Sequence, residues 1–170
     1  MADQLRKLRA SDKANLLAWR NAPFVRQNVF HQSLITPEEH DKWLSSVLDS
    51  DDCCYFVFEA DGVDCGVVGL SSIKPVHGRC EWGFYTAPTA PKGTAIRMLS
   101  LALAQAFGPL GLRKVWAEVL GYNAASLRLH EKLGFVREGC LRQHHFINGT
   151  FHDVILLAKF SDDAGKTDLS

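Results

Sequence analysis

The sequence predicts an α/β (α+β) fold with a twisted, mixed and mostly antiparallel sheet. Two apolar, strand-like runs, Cys53–Ala60 and Val63–Ile73, flank the hairpin turn Asp61-Gly62. Farther on, the amphipathic helix Thr94–Phe107 connects the strand Cys80–Tyr85 to a later strand, and strands joined by a helix run parallel. We therefore expect one central parallel pair in an otherwise antiparallel sheet, with helices on both faces.

One short strand and two helices precede this hairpin. Thr36 caps the second helix, Pro37–Leu48, because Pro fits the first helical turn and Glu39 completes a capping box. The elements before it are Leu5–Leu8 as an edge strand, Ala14–Trp19 as a short helix, and a polar stretch from Arg20 to Phe30.

The last third of the chain supplies the second parallel strand, a short helix and a final hairpin. Lys114–Leu120 is predicted as the strand parallel to Cys80–Tyr85. Asn123 caps a helix that runs to Lys132, after which Gly134 ends it and another strand begins. In the segment Phe146–Lys159, Asn148-Gly149 stands between apolar runs and predicts a hairpin turn.

Composition indicates one cytoplasmic domain. Lys plus Arg and Asp plus Glu both number 19, so net charge gives no reason to expect nucleic acid or a membrane surface as partner. The 5 cysteines show no C-x-x-C pair and suit buried free thiols, so we expect neither a metal site nor disulfides. No stretch resembles a signal peptide or membrane span. We expect a single domain over residues 1–160 and a disordered tail over 161–170.

The loop before the helix Thr94–Phe107 is a candidate phosphate site. Gly93 permits close approach of the backbone to a ligand, and the helix start presents unpaired N–H groups and the positive end of its dipole. A plain connection, with Pro91 fixing the chain and Thr94 as cap, is the alternative. The spacing fits neither G-x-G-x-x-G nor G-x-x-x-x-G-K-[ST], so a Rossmann site or a P-loop is not supported.

The parallel pair indicates where a ligand would lie. Ligands bind outside the carboxyl ends of parallel strands, which here means beyond Tyr85 and Leu120. The Gly93 loop follows the first end and the short helix follows the second, so both should border one crevice. The polar residues expected on the helix side are Asn123, Ser126 and His130.

Two motifs flank this crevice. They are Gly93-x-Ala95 and Asn123-x-x-Ser126-x-x-x-His130-Glu131-Lys132-Leu133-Gly134-Phe135, and together they resemble the GNAT acetyltransferases. The resemblance implies the GNAT fold, with the parallel strands splayed around acetyl-CoA as the acetyl donor. It places the pyrophosphate on the amides of Lys92, Gly93, Thr94 and Ala95 and the pantetheine near Tyr85 and Asn123, beside Ser126. Ala90 departs from the family's usual Gln or Arg at the start of the loop.

Further motifs cover most of the chain. Trp19-Arg20-Asn21, Cys80-Glu81-Trp82-Gly83-Phe84-Tyr85 and Glu138-Gly139-x-Leu141-Arg142 resemble the pseudaminic acid biosynthesis N-acetyltransferases. This resemblance implies acetylation of the 4-amino group of UDP-4-amino-4,6-dideoxy-N-acetyl-β-L-altrosamine, so the expected partner is a small nucleotide sugar. A ribosomal-protein-type N-terminal acetyltransferase is one alternative, because that branch shares the last motif. A non-catalytic acyl-CoA-binding sensor is another, and an exposed edge strand leaves a homodimer open.

Acetyl transfer to an amine needs a proton acceptor, an oxyanion donor and a leaving thiolate. Backbone N–H groups near Tyr85 are candidates for the oxyanion donor. His130 occupies a position where many family members carry a Tyr thought to protonate the thiolate; a His there could act as acid or base, or be an interior His bonded to a backbone carbonyl. Glu81 and Glu118 are the candidate bases, with a salt bridge or sheet-edge charge as the alternative for each.

The candidate acceptor-binding residues lie mainly before the sheet. Arg20 offers a guanidinium to a pyrophosphate, His40 offers a ring donor, and Trp43 offers a face to the uracil, although core packing is equally open for Trp43. Ser72 is a weaker candidate for a phosphate contact. Glu118 fits substrate binding by resemblance better than direct base catalysis.

Overall fold

The computed structural model describes residues 2–162. The predicted disordered tail, 161–170, lies outside the described residues from residue 163 onward, and the single domain over 1–160 stays a prediction. The helices are α1 Lys13–Arg20, α2 Pro23–Arg26, α3 Pro37–Leu48, α4 Thr94–Phe107 and α5 Ala124–Lys132. The strands are β1 Gln4–Lys7, β2 Cys54–Ala60, β3 Val63–Lys74, β4 Arg79–Thr86, β5 Lys114–Leu120, β6 Val136–Ile147 and β7 Thr150–Phe160.

All seven strands form one mixed sheet in the order β1-β2-β3-β4-β5-β7-β6. The neighbours β4 and β5 are parallel and every other pairing is antiparallel, which confirms the predicted fold class. The parallel pair is short: its register runs from Arg79 opposite Lys114 to Glu81 opposite Trp116. Both strands continue past this point without pairing with each other, so they diverge and open a gap in the middle of the sheet.

Helices cover both faces of the sheet, as predicted. On one face α4 contributes Met98 and Leu99 to a core that includes Trp82 and Phe135. On the other face Leu16 and Trp19 of α1 and Leu44 of α3 pack against Val57 and Val67. Alternate residues of β4 therefore belong to different cores, because successive side chains of a strand point to opposite faces.

The predicted helix cap and hairpin turn both form in the structure. Thr36 Oγ1 accepts a hydrogen bond from the N–H of Glu39 at 3.2 Å, and Glu39 Oε2 accepts one from the N–H of Thr36 at 2.8 Å, which completes the predicted capping box. Asn148 and Gly149 have φ angles of 49° and 82°, so this hairpin turn has two left-handed residues, as the Asn-Gly pair predicts.

The polar stretch from Arg20 to Phe30 contains a helix that was not predicted. This helix, α2, begins at Pro23 and buries Val25. Asn21 ties the segment down, because its side chain donates to the carbonyl of Ile35 at 2.9 Å and accepts from the N–H of Ile35 at 2.8 Å. A helix of four residues is too short to show a hydrophobic period, so the pattern contained no signal for it.

Within residues 2–162 no helix is both long enough and apolar enough to cross a membrane. The cytoplasmic location stays a prediction.

Candidate active site

The gap between β4 and β5 forms a cavity of about 390 Å³, here called the central cleft. A second cavity of about 490 Å³, here called the side pocket, lies beneath α1 and α3. Val29, Gly83, Phe84 and Tyr85 line both cavities, so the two spaces adjoin at β4. The predicted residues that line the central cleft are Glu81, Tyr85, Ala95, Glu118, Asn123, Ser126 and His130, and those that line the side pocket are Arg20, His40, Trp43 and Tyr85.

The glycine loop leads directly into Ala95, which lines one side of the central cleft. Gly93 is in the left-handed conformation with φ 84°, a conformation that favours glycine, and precedes the first residue of α4. Within residues 2–162 the N–H groups of Lys92, Gly93 and Ala95 have no backbone acceptor. Together with the positive end of the α4 dipole, these groups could hold a phosphate.

Thr94 differs from its neighbours in the loop. Its hydroxyl donates to the carbonyl of Pro91 at 2.7 Å, and its N–H reaches the same carbonyl at 3.2 Å. Thr94 is buried, whereas Lys92 is exposed. Thr94 thus stabilises the loop. Because its hydroxyl and its N–H are both bonded to Pro91, these hydrogen bonds disfavour the predicted contact of Thr94 with a phosphate, which stays a prediction.

Opposite the loop, α5 begins as predicted. The side chain of Asn123 caps the helix by accepting from the N–H of Ser126 at 3.2 Å. The cap uses the carbonyl oxygen of this amide, which leaves its NH₂ group free to donate into the cleft.

His130 lies at the back of the cleft with 1% of its surface exposed. Its Nε2 accepts a hydrogen bond from the indole N–H of Trp82 at 3.0 Å, and its Nδ1 donates to the carbonyl of Ser126 at 2.8 Å. Because an indole can only donate and a carbonyl can only accept, the partners assign the tautomer with hydrogen on Nδ1. Burial lowers the pKa of His130, with the Ser126 carbonyl opposing it.

Both ring nitrogens of His130 are therefore occupied, and the ring is neutral. Phe135 packs edge-on against it at 4.9 Å and stacks on Trp82 at 4.9 Å. The geometry supports the interior alternative for His130, in which the ring holds α5 against β4. Its predicted role as acid or base stays a prediction that these hydrogen bonds disfavour. No sequence pattern indicated the Trp82 partner, which is 48 residues away.

Glu81 on β4 and Glu118 on β5 both line the central cleft between the diverging strands. Burial raises the pKa of Glu81, and the charge of Glu118 raises it further. Neither carboxylate belongs to an ion pair found within residues 2–162, so the salt-bridge alternative receives no support there. A half-buried carboxylate with a raised pKa, next to a second one, is a candidate proton acceptor.

The side pocket contains two unsatisfied nitrogens. Arg20 Nη2 donates to the carbonyl of His31 at 2.9 Å, while Nη1 is buried without a partner. His40 is 3% exposed, and its Nε2 is likewise buried without a partner. Burial lowers the pKa of His40, so its ring is neutral at neutral pH. Both nitrogens are therefore available for a hydrogen bond to a ligand in this pocket.

Aromatic rings form another part of the pocket wall. The ring of Trp43 lies 5.2 Å from the His40 ring and 5.3 Å from the Tyr55 ring, measured between ring centroids. Trp43 also packs against the second core, so it is both a pocket-lining residue and a core residue. Tyr55 lies across Gly69, where an added Cβ would come within 2.2 Å of its ring. Gly69 is thus required for the position of Tyr55, and neither residue was predicted from the sequence.

Tyr85 divides the two cavities. Burial strongly raises the pKa of its phenol, with the charge of Arg20 opposing it, so the hydroxyl stays protonated at neutral pH. Ser72, in contrast, is exposed, has φ 49° at an irregularity of β3, and lines neither cavity. The structure does not bring Ser72 to the site, and its phosphate contact stays a prediction without support.

A parallel strand pair that opens around a cleft, with a glycine loop and helix start on one side, is an arrangement that could hold an extended, phosphate-bearing ligand. The chain belongs to the family described as the acetyltransferase (GNAT) domain, which matches residues 4–136. The GNAT acetyltransferase superfamily expected from the sequence motifs is confirmed.

Individual relatives agree on the class and differ in substrate. The chain is 33% identical over 117 residues to the prophage-derived uncharacterized N-acetyltransferase YokL of Bacillus subtilis, covering 67% of this chain and 65% of that one. It is 37% identical to spermidine N(1)-acetyltransferase of Escherichia coli K12, over 62% of this chain and 57% of that one. A ribosomal-protein-serine acetyltransferase of the same strain is 28% identical over 64% of this chain and 60% of its own length. The matches thus span under two thirds of these relatives.

A solved structure resembles the whole chain. Spermidine N-acetyltransferase from Vibrio cholerae, crystallised in complex with CoA and spermine, superposes with a TM-score of 0.87 at 28% identity, over 93% of this chain and 95% of that one. None of these relatives is named for action on a UDP-sugar, so the finer resemblance to the pseudaminic acid branch gains no support from them.

Proposed function

We propose that the protein transfers the acetyl group of acetyl-CoA to a primary amine of a small molecule. The observation that carries this proposal is the junction of the two cavities at Gly83, Phe84 and Tyr85. A donor in the central cleft and an acceptor in the side pocket would meet at β4, next to the carboxylates of Glu81 and Glu118.

The donor would enter along the glycine loop. The free amides of Lys92, Gly93 and Ala95 would hold its pyrophosphate, and the NH₂ group of Asn123 would bind the pantetheine arm between the strands. Unpaired N–H groups on the facing edge of β4 would extend this binding and would stabilise the oxyanion that forms on the acetyl carbonyl.

Proton transfer would begin at the acceptor. Glu81 would take the proton, directly or through water, as the neutral amine attacks the thioester carbonyl. The new C–N bond forms, the C–S bond breaks, and the coenzyme A leaves as thiolate to be protonated by solvent. The raised pKa of Glu81 suits it to this task, because a base works best when its pKa lies close to the working pH. In this scheme His130 positions α5 and takes no proton.

The acceptor has three candidates. The UDP-linked 4-amino-4,6-dideoxy sugar rests on the sequence motifs, and the free guanidinium nitrogen of Arg20 favours it. Spermidine is the substrate named for two similar proteins. The amino terminus of a ribosomal protein, the alternative expected from the sequence, lies outside the proposed small-molecule class; a relative with 28% identity is named a ribosomal-protein-serine acetyltransferase. A homodimer through an edge strand, β1 or β6, also stays a proposal.

One experiment tests the proposal and ranks these acceptors. Release of the coenzyme A thiol is measured with the UDP-amino sugar, spermidine, a ribosomal-protein amino-terminal peptide and no acceptor. We expect acceptor-dependent release with at least one small amine. Tight binding of acetyl-CoA without release on any amine would contradict the proposal and favour a non-catalytic sensor.

A further inference from the structure

The nature of the side pocket bears on which amine the enzyme accepts. Within residues 2–162, two buried side-chain nitrogens have no hydrogen-bond partner, Nη1 of Arg20 and Nε2 of His40. Both belong to residues that line the side pocket, and neither residue takes part in the donor cleft. Buried polar groups are nearly always paired in a folded protein, so these two nitrogens in one cavity are donors or acceptors that a bound ligand could satisfy.

Arg20 is a cation without a carboxylate. None of the ion pairs within residues 2–162 includes it, and its one hydrogen bond is to a backbone carbonyl. Burial lowers the pKa of Arg20, and the nearby Arg26 lowers it further, yet a guanidinium remains charged at neutral pH. A partly buried charge of this kind is stabilised by an anion that offers two oxygens to its fork of N–H groups.

The remaining charges of the pocket do not neutralise Arg20. Among the described residues that line it, Glu39 carries the carboxylate, and this group is turned toward the backbone N–H of Thr36 in the capping box. That hydrogen bond lowers the pKa of Glu39, which lies in solvent at the start of α3. A polyamine would thus meet a partly buried cation and no free carboxylate among these residues.

We infer that the acceptor is an amine that also carries an anionic group, a phosphate or a carboxylate, which Arg20 binds while Trp43 and Tyr55 pack against an apolar or planar part of the molecule. The inference rests on the proposed function and narrows it. It also separates this chain from relatives named for spermidine, because Arg20 would repel a polycation.

Binding of the anion can be measured without turnover. Titration calorimetry of UDP into protein saturated with coenzyme A keeps the donor site occupied, so heat reports the side pocket. We expect saturable binding, weakened about 10- to 100-fold by Arg20→Gln, the range for a lost charge-assisted hydrogen-bond pair. Arg20→Lys should retain part of the affinity, and Arg128→Gln, on an exposed residue of α5 outside both cavities, should leave it unchanged.

Matched amines then distinguish phosphate from carboxylate. Glucosamine 6-phosphate is compared with glucosamine, and tyrosine with tyramine, by thiol release at equal concentration. We expect the anionic member of at least one pair to be the better substrate, and Arg20→Glu to reverse that preference. A melting curve shows whether Arg20→Gln is folded. If it is not, Arg20→Lys and the matched pairs of amines still show whether the anionic group is recognised at Arg20.

The outcomes separate this inference from the proposed function. Acetylation of spermidine by the wild-type protein, with no UDP binding and no preference for anionic amines, would overturn the inference and leave the proposed function intact. Binding of UDP that depends on Arg20, with no thiol release on any amine, would overturn the proposed function and leave an anion site at Arg20.

Discussion

Glu81 and Trp82 are adjacent on β4, yet they have opposite surroundings. The indole N–H of Trp82 is bonded to His130, and its ring is stacked on Phe135, so every polar atom there has a partner. Glu81 faces the like charge of Glu118, and burial raises its pKa. The polar group of Trp82 stabilises the fold, whereas the carboxylate of Glu81 stays available to a ligand.

The same contrast separates the two buried histidines. His130 has partners on both ring nitrogens, whereas Nε2 of His40 has none. Burial alone therefore does not mark a functional residue in this protein, since both rings are buried and both have lowered pKa values. What distinguishes the structural His130 from the candidate binding residue His40 is whether every ring nitrogen has a hydrogen-bond partner.

The largest effect is expected at Glu81. Glu81→Gln removes the proposed proton acceptor and should lower kcat by about 10²- to 10⁴-fold, the usual contribution of a general base. Thermal stability should not fall, because the substitution removes a half-buried charge. Steady-state thiol release and a melting curve measure the two effects.

The pH profile sharpens this prediction. Activity of the wild-type protein should rise with pH as Glu81 loses its proton, at a pH above the usual range of a glutamate because the pKa is raised. Glu118→Gln removes the neighbouring charge and should move this rise to lower pH. Full activity of Glu81→Gln would show that the proton goes elsewhere.

Trp82→Phe should affect stability instead. It deletes the N–H that bonds to His130 Nε2 and leaves that buried acceptor without a partner, which costs about 1–3 kcal/mol of unfolding free energy. Urea denaturation measures the loss, and a double-mutant cycle with His130→Phe isolates the coupling between the two rings.

The activity of the Trp82 variant completes this comparison. Its kcat per folded molecule should stay within a few-fold of the wild type at a temperature where it is folded. A conservative His130→Gln variant that keeps its stability but loses most of its kcat would restore the acid or base role that the sequence suggested for His130.

The smallest expected effect is a pH dependence of stability from His130. Its folded pKa is lowered, so as pH falls below about 6.5 the unfolded chain binds a proton that the folded chain does not. Stability therefore falls with decreasing pH, by at most about 1.4 kcal/mol per pH unit until the folded pKa is reached. In His130→Gln this contribution to the change of unfolding free energy with pH should disappear, which denaturation between pH 5 and 7 would show. An unchanged pH dependence would assign it to other groups such as His40.

Local chemistry made the fold largely predictable from the sequence. The cap at Thr36, the turn at Asn148-Gly149 and the helix between the parallel strands each depend on neighbours in the chain, and all three are confirmed. The loop around Gly93 and the cap at Asn123 were found for the same reason.

The site was less predictable because its important contacts join distant segments. Trp82 meets His130 across 48 residues, so the pattern around His130 could not show that its ring is already occupied. Tyr55 enters the pocket wall only because Gly69 on the adjacent strand has no side chain. The segment 20–30 is polar in sequence, yet through Val29 it lines both cavities.

The short pairing of β4 with β5 has a further consequence. Where the strands part, the sheet lacks the hydrogen bonds that a continuous ladder would supply, and a bound donor would take the place of the missing contacts. Ligand that binds only the folded chain adds RT ln(1 + [L]/Kd) to its stability, about 2.7 kcal/mol at a concentration of 100 Kd. The lifetime of this protein in a cell would then follow the supply of its own donor.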